Sequence, residues 1–342
     1  MKERILEILR GANGEFISGQ RISDTLGVSR TAVWKAIGKL REDGYPIESV
    51  SNLGYRLGDT DSSDILNQAE LDRLFTVTEW AGHPVVYKDE TTSTQDEIMR
   101  LSDTGAPEGT LAVTVRQTKG KGRRGRTWIS PDNGNVYMSI LLKPDLPTDI
   151  VPMVTIVMAL AVCEAADEAA GGINGSSYRI KWPNDIVVSS DSDHAWKKIC
   201  GILTELSVEV ESGTIQYVVI GVGVNANEAL SDFPEEIQET AGSVRMAAGR
   251  PVCRAKLAAE MIKALDDMAK RWPDAHEEYL AEYRKKCVTP GKEVLLKAGD
   301  RQERAFAESI DDSFGLQVRL PDGTRRSVNS GEASVRVENG YV

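Results

Sequence analysis

Histidine and cysteine are scarce in this chain, and no apolar run is long. The 342 residues include three histidines, at 83, 194 and 276. That supply all but excludes histidine-built zinc sites and Ser-His-Asp catalysis. The four cysteines stand at 163, 200, 253 and 287, with no Cys-x-x-Cys pair among them. They read as reduced thiols in or near the core. The longest apolar stretch, Val151 to Val162, is interrupted by Pro152 and Thr155. It falls well short of the ~20 residues of a membrane span and reads as a buried helix. The opening Met1-Lys2-Glu3-Arg4-Ile5-Leu6 mixes acids and bases without an apolar secretory core, so the expected address is cytoplasmic. What remains for chemistry is Lys, Arg, carboxylates or a bound nucleotide. A net charge of −11 argues against coating nucleic acid along the whole surface, so any DNA contact has to be local.

The length is that of two or three domains, and the pattern predicts an α+β multidomain chain. Residues 1–58 read as a winged helix-turn-helix. Ile5, Leu6, Ile8 and Leu9 suit a first amphipathic helix ended by Gly11 and Gly14. Gln20 to Leu26 is a short second helix, with Gly27 in the turn. Ser29 is an N-cap for a third helix running to about Arg41. Val33, Ile37 and Leu40 share one face of it. Tyr45 to Val50 and Tyr55 to Leu57 read as strands joined by Asn52-Leu53-Gly54, which makes a wing. Residues 1–58 carry nine Lys/Arg against seven Asp/Glu, a net of +2 that leaves −13 for the rest. Between Ser29 and Arg41 there are four basic residues and no acid. A basic helix on an acidic protein is the footprint of groove insertion. The DNA-facing candidates are Ser29, Arg30, Thr31, Trp34, Lys35 and Lys39, with Arg56 in the wing.

Residues 59–68 are polar and acidic and read as a linker. From 69 to 287 strand-like runs (Leu111 to Val115, Val136 to Leu142, Ile199 to Ser207, Tyr217 to Gly221) interleave with helical stretches (Ser93–Ser102, Val151–Ala170, Ala255–Trp272). This predicts a mixed α/β domain. Residues 288–342 alternate short strand-like pieces with Gly/Asp turns, Pro321-Asp322-Gly323-Thr324 among them. They predict a small antiparallel barrel of about five strands.

The segment richest in chemistry is Gly120-Lys121-Gly122-Arg123-Arg124-Gly125-Arg126, followed by Thr127-Trp128. Its glycines let backbone approach a ligand closely, and its four cations call for an anion. It lacks the Gly-Lys-Ser/Thr ending of a Walker loop. Glycine-arginine tails that bind RNA repeat many times in polar sequence, whereas this single copy lies between apolar strands.

At this loop the chain resembles biotin–protein ligases of the biotin-operon-repressor type, which carry Gly-Arg-Gly-Arg-Arg-Gly-Arg. Further matches follow in order. Thr92-Ser93-Thr94-Gln95 resembles the family's Thr-Ser-Thr-Asn, and Gln117 precedes the loop as the family's biotin-contacting Gln does. Lys181-Trp182-Pro183-Asn184-Asp185 is a second signature. Lys198 to Glu205 is similar to Lys-x-x-Gly-Ile-Leu-x-Glu, Gly221-Val222-Gly223-Val224-Asn225 to a Gly-x-Gly-x-Asn strand end, and Gly331-Glu332 to a C-terminal Gly-Glu. The resemblance spans almost the whole chain. Departures are Lys121 for Arg, Gln95 for Asn, and an acidic loop at Ser189 to Ala195.

The resemblance implies a ligase domain of the biotin/lipoate type and an SH3-like C-terminal barrel. It also implies two-step chemistry with ATP and Mg²⁺: biotin is activated as biotinyl-5′-AMP, then attacked by a lysine of a carrier domain, with AMP leaving. A carboxylate attacking a phosphate meets like-charge repulsion, so Lys198 is the candidate that neutralises both anions. Lys198, Arg123 and Asp185 are the catalytic set. For Asp185 three roles stay open: partner of Lys198, Mg²⁺ ligand, or partner of the incoming amine. No dedicated metal site is assigned. Ser93, Thr94, Gln95, Gln117, Lys121, Gly122, Arg123 and Lys198 are the biotin-binding candidates. Arg124, Arg126, Trp128, Lys181, Asn184 and Asn225 are those for ATP and adenylate. Trp182 is either core or an adenine-side wall. The family further implies an adenylate-induced homodimer on operator DNA, with no membrane partner. Two competitors are a lipoate-type ligase and a non-catalytic ligand-sensing repressor.

Overall fold

The computed structural model describes residues 1–60, 63–79, 81–131, 134–143, 151–172, 178–189, 196–209, 214–271, 274–298, 301–329 and 334–337. Gly331-Glu332, Trp272 and the acidic stretch 190–195 lie outside them.

The N-terminal unit has α1 (Lys2–Gly11), α2 (Gly19–Leu26), α3 (Arg30–Glu42) and the hairpin β1 (Ile47–Val50) and β2 (Gly54–Leu57). Ser18 Oγ accepts from the Arg21 N–H, and Ser29 Oγ from the Ala32 N–H. These caps satisfy amide groups that the first turns of α2 and α3 leave without partners. Val33, Ala36, Ile37 and Leu40 of α3 are buried and pack with Ile5, Leu6, Leu9 and Ile22 in a core of their own.

The segment expected to be a linker is tied at both ends of its apolar step. Ile65 packs into the N-terminal core and Leu66 into the core of the central domain. Just before them, Asp64 accepts from Arg254 Nε (2.8 and 2.9 Å) and from Asn227 Nδ2 (2.8 Å). Asn67 then caps α4 (Gln68–Leu74).

The central domain is a seven-stranded sheet in the order β3-β4-β5-β9-β8-β7-β6. Its strands are β3 (Val85–Thr91), β4 (Leu111–Gln117), β5 (Val136–Leu142), β6 (Arg179–Lys181), β7 (Asp185–Ser189), β8 (Trp196–Val208) and β9 (Ile215–Val224). β3 and β4 are parallel, and the other pairs are antiparallel. One face is covered by α6 (Val151–Ala169) and α9 (Arg254–Arg271), and α5 (Thr94–Asp103) packs on the other. Two short helices, α7 (Glu235–Gln238) and α8 (Val244–Ala248), follow β9, and α10 (His276–Lys286) leads to the C-terminal part. The apolar run at 151–162 is the first part of α6, with Ile156 to Cys163 buried. Residues on β9 divide by parity: Val218, Ile220, Val222 and Val224 join the large core, while Val219 packs under α5. Gly221 and Gly223 share the face of Val219 and leave it open.

The C-terminal strands are β10 (Glu293–Ala298), β11 (Arg301–Ile310), β12 (Leu316–Arg319), β13 (Arg325–Val328) and β14 (Ser334–Val337), ordered β13-β12-β11-β10-β14. The expected barrel is here an antiparallel sheet. Closure requires β13 to pair with β14, and no such pairing occurs among the described residues. Trp182 fastens this sheet to the central domain, its indole N–H donating to the Phe314 carbonyl at 2.9 Å.

Candidate functional site

The pocket is built on sheet register. Pairing of β5, β9 and β8 sets Tyr137, Gly223 and Gly201 in one row and Ser139, Gly221 and Leu203 in the next. The glycines are a floor that side chains lie on. A Cβ at Gly201 would stand 2.6 Å from Trp128 Cζ3, one at Gly223 2.9 Å from Trp128 Cε2, and one at Gly221 2.9 Å from Gln95 Cδ. No other residue fits under an indole or an amide at those distances.

Lys198 reaches this floor because β8 is irregular. It stands three positions before Gly201, so simple alternation would put the two on opposite faces. The register between β7 and β8 shifts at Ile186/Val187, where Cys200 opposes Ile186 and Lys198 opposes Val187. The extra residue, Ile199, is a bulge that turns Lys198 back to the pocket face. There its Nζ lies 2.6 Å from Asp185 Oδ1 and 5.1 Å from the Trp128 ring centre. Asp185 opens β7 directly opposite Gly201, so the ion pair is held by two paired strands.

The sequence candidates converge unequally. Ser93, Thr94, Gln95, Gln117, Lys121, Gly122, Arg123, Trp128, Asn184 and Lys198 line one cavity together with Gly201, Leu203, Gly221 and Gly223. Ser93 caps α5 and is buried. Gln117 Oε1 accepts from the Thr94 N–H (2.8 Å) and hydroxyl (3.3 Å), and Ser139 Oγ donates to Thr94 Oγ1 (2.8 Å). Gln95 Nε2 donates to the Leu203 carbonyl (3.2 Å) and to Glu205 Oε2 (2.9 Å).

The cations of the loop diverge. Arg123 Nη1 donates to Asn184 Oδ1 at 3.0 Å. Burial pulls the Arg123 guanidinium below its ordinary pKa, and the Asp185 carboxylate opposes that shift. Lys121 pairs with Asp96, and this bond raises its pKa. Arg124, in the left-handed region at φ 57°, donates to the Lys297 carbonyl at 2.8 Å, out on the C-terminal sheet. Arg126 is exposed and borders a wider groove outside the cavity, shared with Trp182 and Asp312 to Phe314. Trp182 is thus core along its ring and groove wall at its edge.

Two expected adenylate ligands stand apart from the cavity lining. Asn225 is buried and donates to the Gly242 carbonyl at 2.9 Å, bracing the loop after β9. Lys181 is buried on β6, with its backbone paired to Asp185. Conversely, Ser139 is not among the sequence candidates, and Glu205 enters there only as the last residue of the Lys198 to Glu205 motif. Ser139 carried a signal, a small polar residue inside an apolar strand. Glu205 carried one too, sharing the pocket face of β8 with Gly201 and Leu203 by alternation.

On the N-terminal unit, Ser29, Arg30, Thr31, Lys35 and Lys39 are exposed and Trp34 is 65% exposed. The Trp34 indole is therefore not part of the core and stands on the basic face of α3. Arg56 is tied within the wing, paired with Glu48 at 2.6 Å and stacked 4.7 Å above the Phe16 ring. No helix among the described residues is long and apolar enough to cross a membrane.

A lysine-armed pocket on a mixed sheet, joined to a winged helix-turn-helix, defines a two-part ligase with a DNA-reading module. Residues 87–225 match the biotin/lipoate A/B protein ligase family, and residues 2–56 match a helix-turn-helix domain. The chain is 42% identical over 255 residues to the bifunctional ligase/repressor BirA of Bacillus subtilis (strain 168), covering 75% of this chain and 74% of that protein. It is 29% identical over 327 residues to BirA of Escherichia coli (strain K12), covering 95% and 94%. The solved biotin protein ligase of Aquifex aeolicus in complex with biotin and ATP matches with a TM-score of 0.62 at 28% identity, over 74% of this chain and 99% of that one. The chain belongs to the biotin–protein ligase family, in its bifunctional ligase/repressor branch.

Proposed function

We propose that this protein joins biotin to ATP, forming biotinyl-5′-AMP and pyrophosphate, and then passes the biotinyl group to a lysine amine of a carrier domain with release of AMP. The observation that carries this reading is the placement of Lys198. It is held by Asp185, backed by Trp128, and faces the same cavity as Arg123 and the Ser93–Gln95 cap. An ammonium so placed neutralises the acid's carboxylate and the α-phosphate as they approach. Gly122 lets backbone N–H groups reach the carboxylate, and Ser93, Thr94, Gln95 and Gln117 serve the ureido ring. Asn184 holds Arg123 toward the phosphate. Arg124 and Arg126 stand on the outer groove and serve the adenylate when the loop rearranges around it. Lys181 and Asn225 support the site from beneath. Among the described residues no group of three or more His, Cys, Asp or Glu side chains could hold a metal ion. Mg²⁺ enters with the ATP phosphates in this reading, and Asp185, paired with Lys198, is the candidate carboxylate for it.

The exposed face of α3, from Arg30 to Lys39, enters the major groove, and the adenylate favours a homodimer that spans two half-sites. The division 1–58, 59–68, 69–287 and 288–342 follows these roles. We take the C-terminal sheet, which buries Val294, Leu296, Ala307 and Leu316, for an SH3-like fold. The protein works in the cytoplasm, where carrier domain and operator meet.

The test is biotin-dependent exchange of labelled pyrophosphate into ATP, with lipoate as control. Exchange with biotin and not lipoate is expected. Exchange with neither acid, in a folded protein, overturns the ligase reading and leaves a ligand-sensing repressor.

A further inference from the structure

Among the residues that line the cavity, two buried polar atoms have no hydrogen-bond partner in the protein, Gln95 Oε1 and Trp128 Nε1. Gln95 is 3% exposed, and its Oε1 is buried without a hydrogen-bond partner. The neighbouring polar groups are satisfied within the protein: Thr94 by Gln117 and Ser139, Ser93 by the Gln95 N–H.

The orientation of this amide is dictated by chemistry. Its NH₂ points at the Leu203 carbonyl and the Glu205 carboxylate, at 3.2 and 2.9 Å. Neither can donate, so turning the amide over would set its oxygen against two acceptors. Gly221 underneath leaves room for the carbamoyl carbon in this one position, since a Cβ there would be 2.9 Å away. Glu205 therefore decides which end of the Gln95 amide is left over, and that end is an oxygen without a partner.

We infer that Gln95 is the acceptor that selects a ring bearing an N–H group, and that Glu205 is the positioning residue that enforces that role. This rests on the biotin-ligase reading and makes it more specific. A cyclic urea offers two N–H donors, whereas a dithiolane ring offers none and leaves Oε1 buried and unsatisfied. Discrimination comes from an orphan acceptor more than from pocket size.

The experiment uses the full chain and four forms: wild type, Glu205→Gln, Gln95→Leu and the double variant. Pyrophosphate exchange yields kcat and the KM values for biotin and ATP. Competition yields inhibition constants for the biotin analogue whose two ureido N–H groups are replaced by ring oxygens. In Glu205→Gln the amide is free to turn, so the biotin KM rises ~tenfold, while kcat and the ATP KM stay within about twofold. The preference for biotin over the oxygen analogue narrows by the same factor. Gln95→Leu loses at least as much, and the double variant loses no more than Gln95→Leu, because Glu205 acts through Gln95. An unchanged biotin KM in Glu205→Gln, additive losses in the double variant, or equal losses for biotin and the analogue would overturn the inference. The wild-type arm separates this from the reading beneath it. If wild type exchanges with biotin and the variants behave alike, this inference alone fails; if wild type does not exchange at all, both fail.

Discussion

At the scale of single residues, charge placement does the chemistry. Lys198→Ala removes the ammonium that pairs with Asp185 in the pocket and is expected to lower pyrophosphate exchange by roughly 10³ or more, since that charge is needed mainly in the transition state. Lys198→Arg should recover little, because a planar fork does not replace a compact ammonium under an indole. A second residue carries a pH signature. Glu228 is 2% exposed, and burial raises its pKa to about 7 against the opposing pull of its own backbone N–H, of Arg254 and of the Asn135 amide. Its native value lies above its unfolded one, so the native state holds the extra proton. Stability therefore falls as pH rises from about 4.5 to about 7 and is level above that. Glu228→Gln, which cannot ionise, should unfold at a higher temperature than wild type at pH 8 and at nearly the same temperature at pH 4. Parallel melting curves at both pH values would rule this out.

At the scale of elements, the site depends on a bulge and a glycine floor. Gly223→Ala pushes a methyl toward Trp128 and should lower kcat/KM by roughly 10² through a misplaced indole and lysine, with a change in tryptophan fluorescence as an independent readout. The recognition helix is tested by salt. Lys35→Ala on the exposed face of α3 should weaken operator binding and reduce the slope of log K against log salt by about 1. An unaltered slope places that lysine off the DNA backbone. Elements were unequally legible in the sequence. Helices α1 to α3 and α6 follow from apolar spacing and from caps at Ser29 and Gly27, because the signals are local. Strands β6 and β7 are three and five residues long, too short for alternation to register. The motif Lys181 to Asp185 was visible as chemistry and not as the hairpin it forms. Helix α10 buries only Tyr279, Leu280 and Tyr283 along a charged stretch, and its signal is faint for that reason.

At the scale of the molecule, the two functions are joined by a polar latch. Glu70 of α4, 2% exposed, pairs with Arg10 of α1 and with Arg73 at 2.9 Å. Asp64 is clamped by Arg254 and Asn227. Removing Glu70 leaves Arg10 and Arg73 partly open to water, so the cost is about 1–3 kcal/mol. Glu70→Ala is thus expected to lower the thermal midpoint and detach the N-terminal unit. Operator affinity should drop while pyrophosphate exchange persists. Limited proteolysis near residues 59–68 would report the detachment, and unchanged cleavage would show that the latch is not needed.

The sequence alone determined the division of labour: a basic capped helix on an acidic chain, a glycine-arginine loop between apolar strands, and a lysine before Gly-Ile-Leu. These are local patterns, readable because composition and spacing carry them. Only the tertiary structure decided which residues meet. The bulge at Ile199 turns Lys198 to the pocket, and the register of β5, β9 and β8 aligns the glycines under Trp128 and Gln95. The chain path sends Arg124 to the C-terminal sheet and Asn225 to a loop. Side-chain facing depends on pairing across strands distant in sequence, and a one-residue shift in register reverses it.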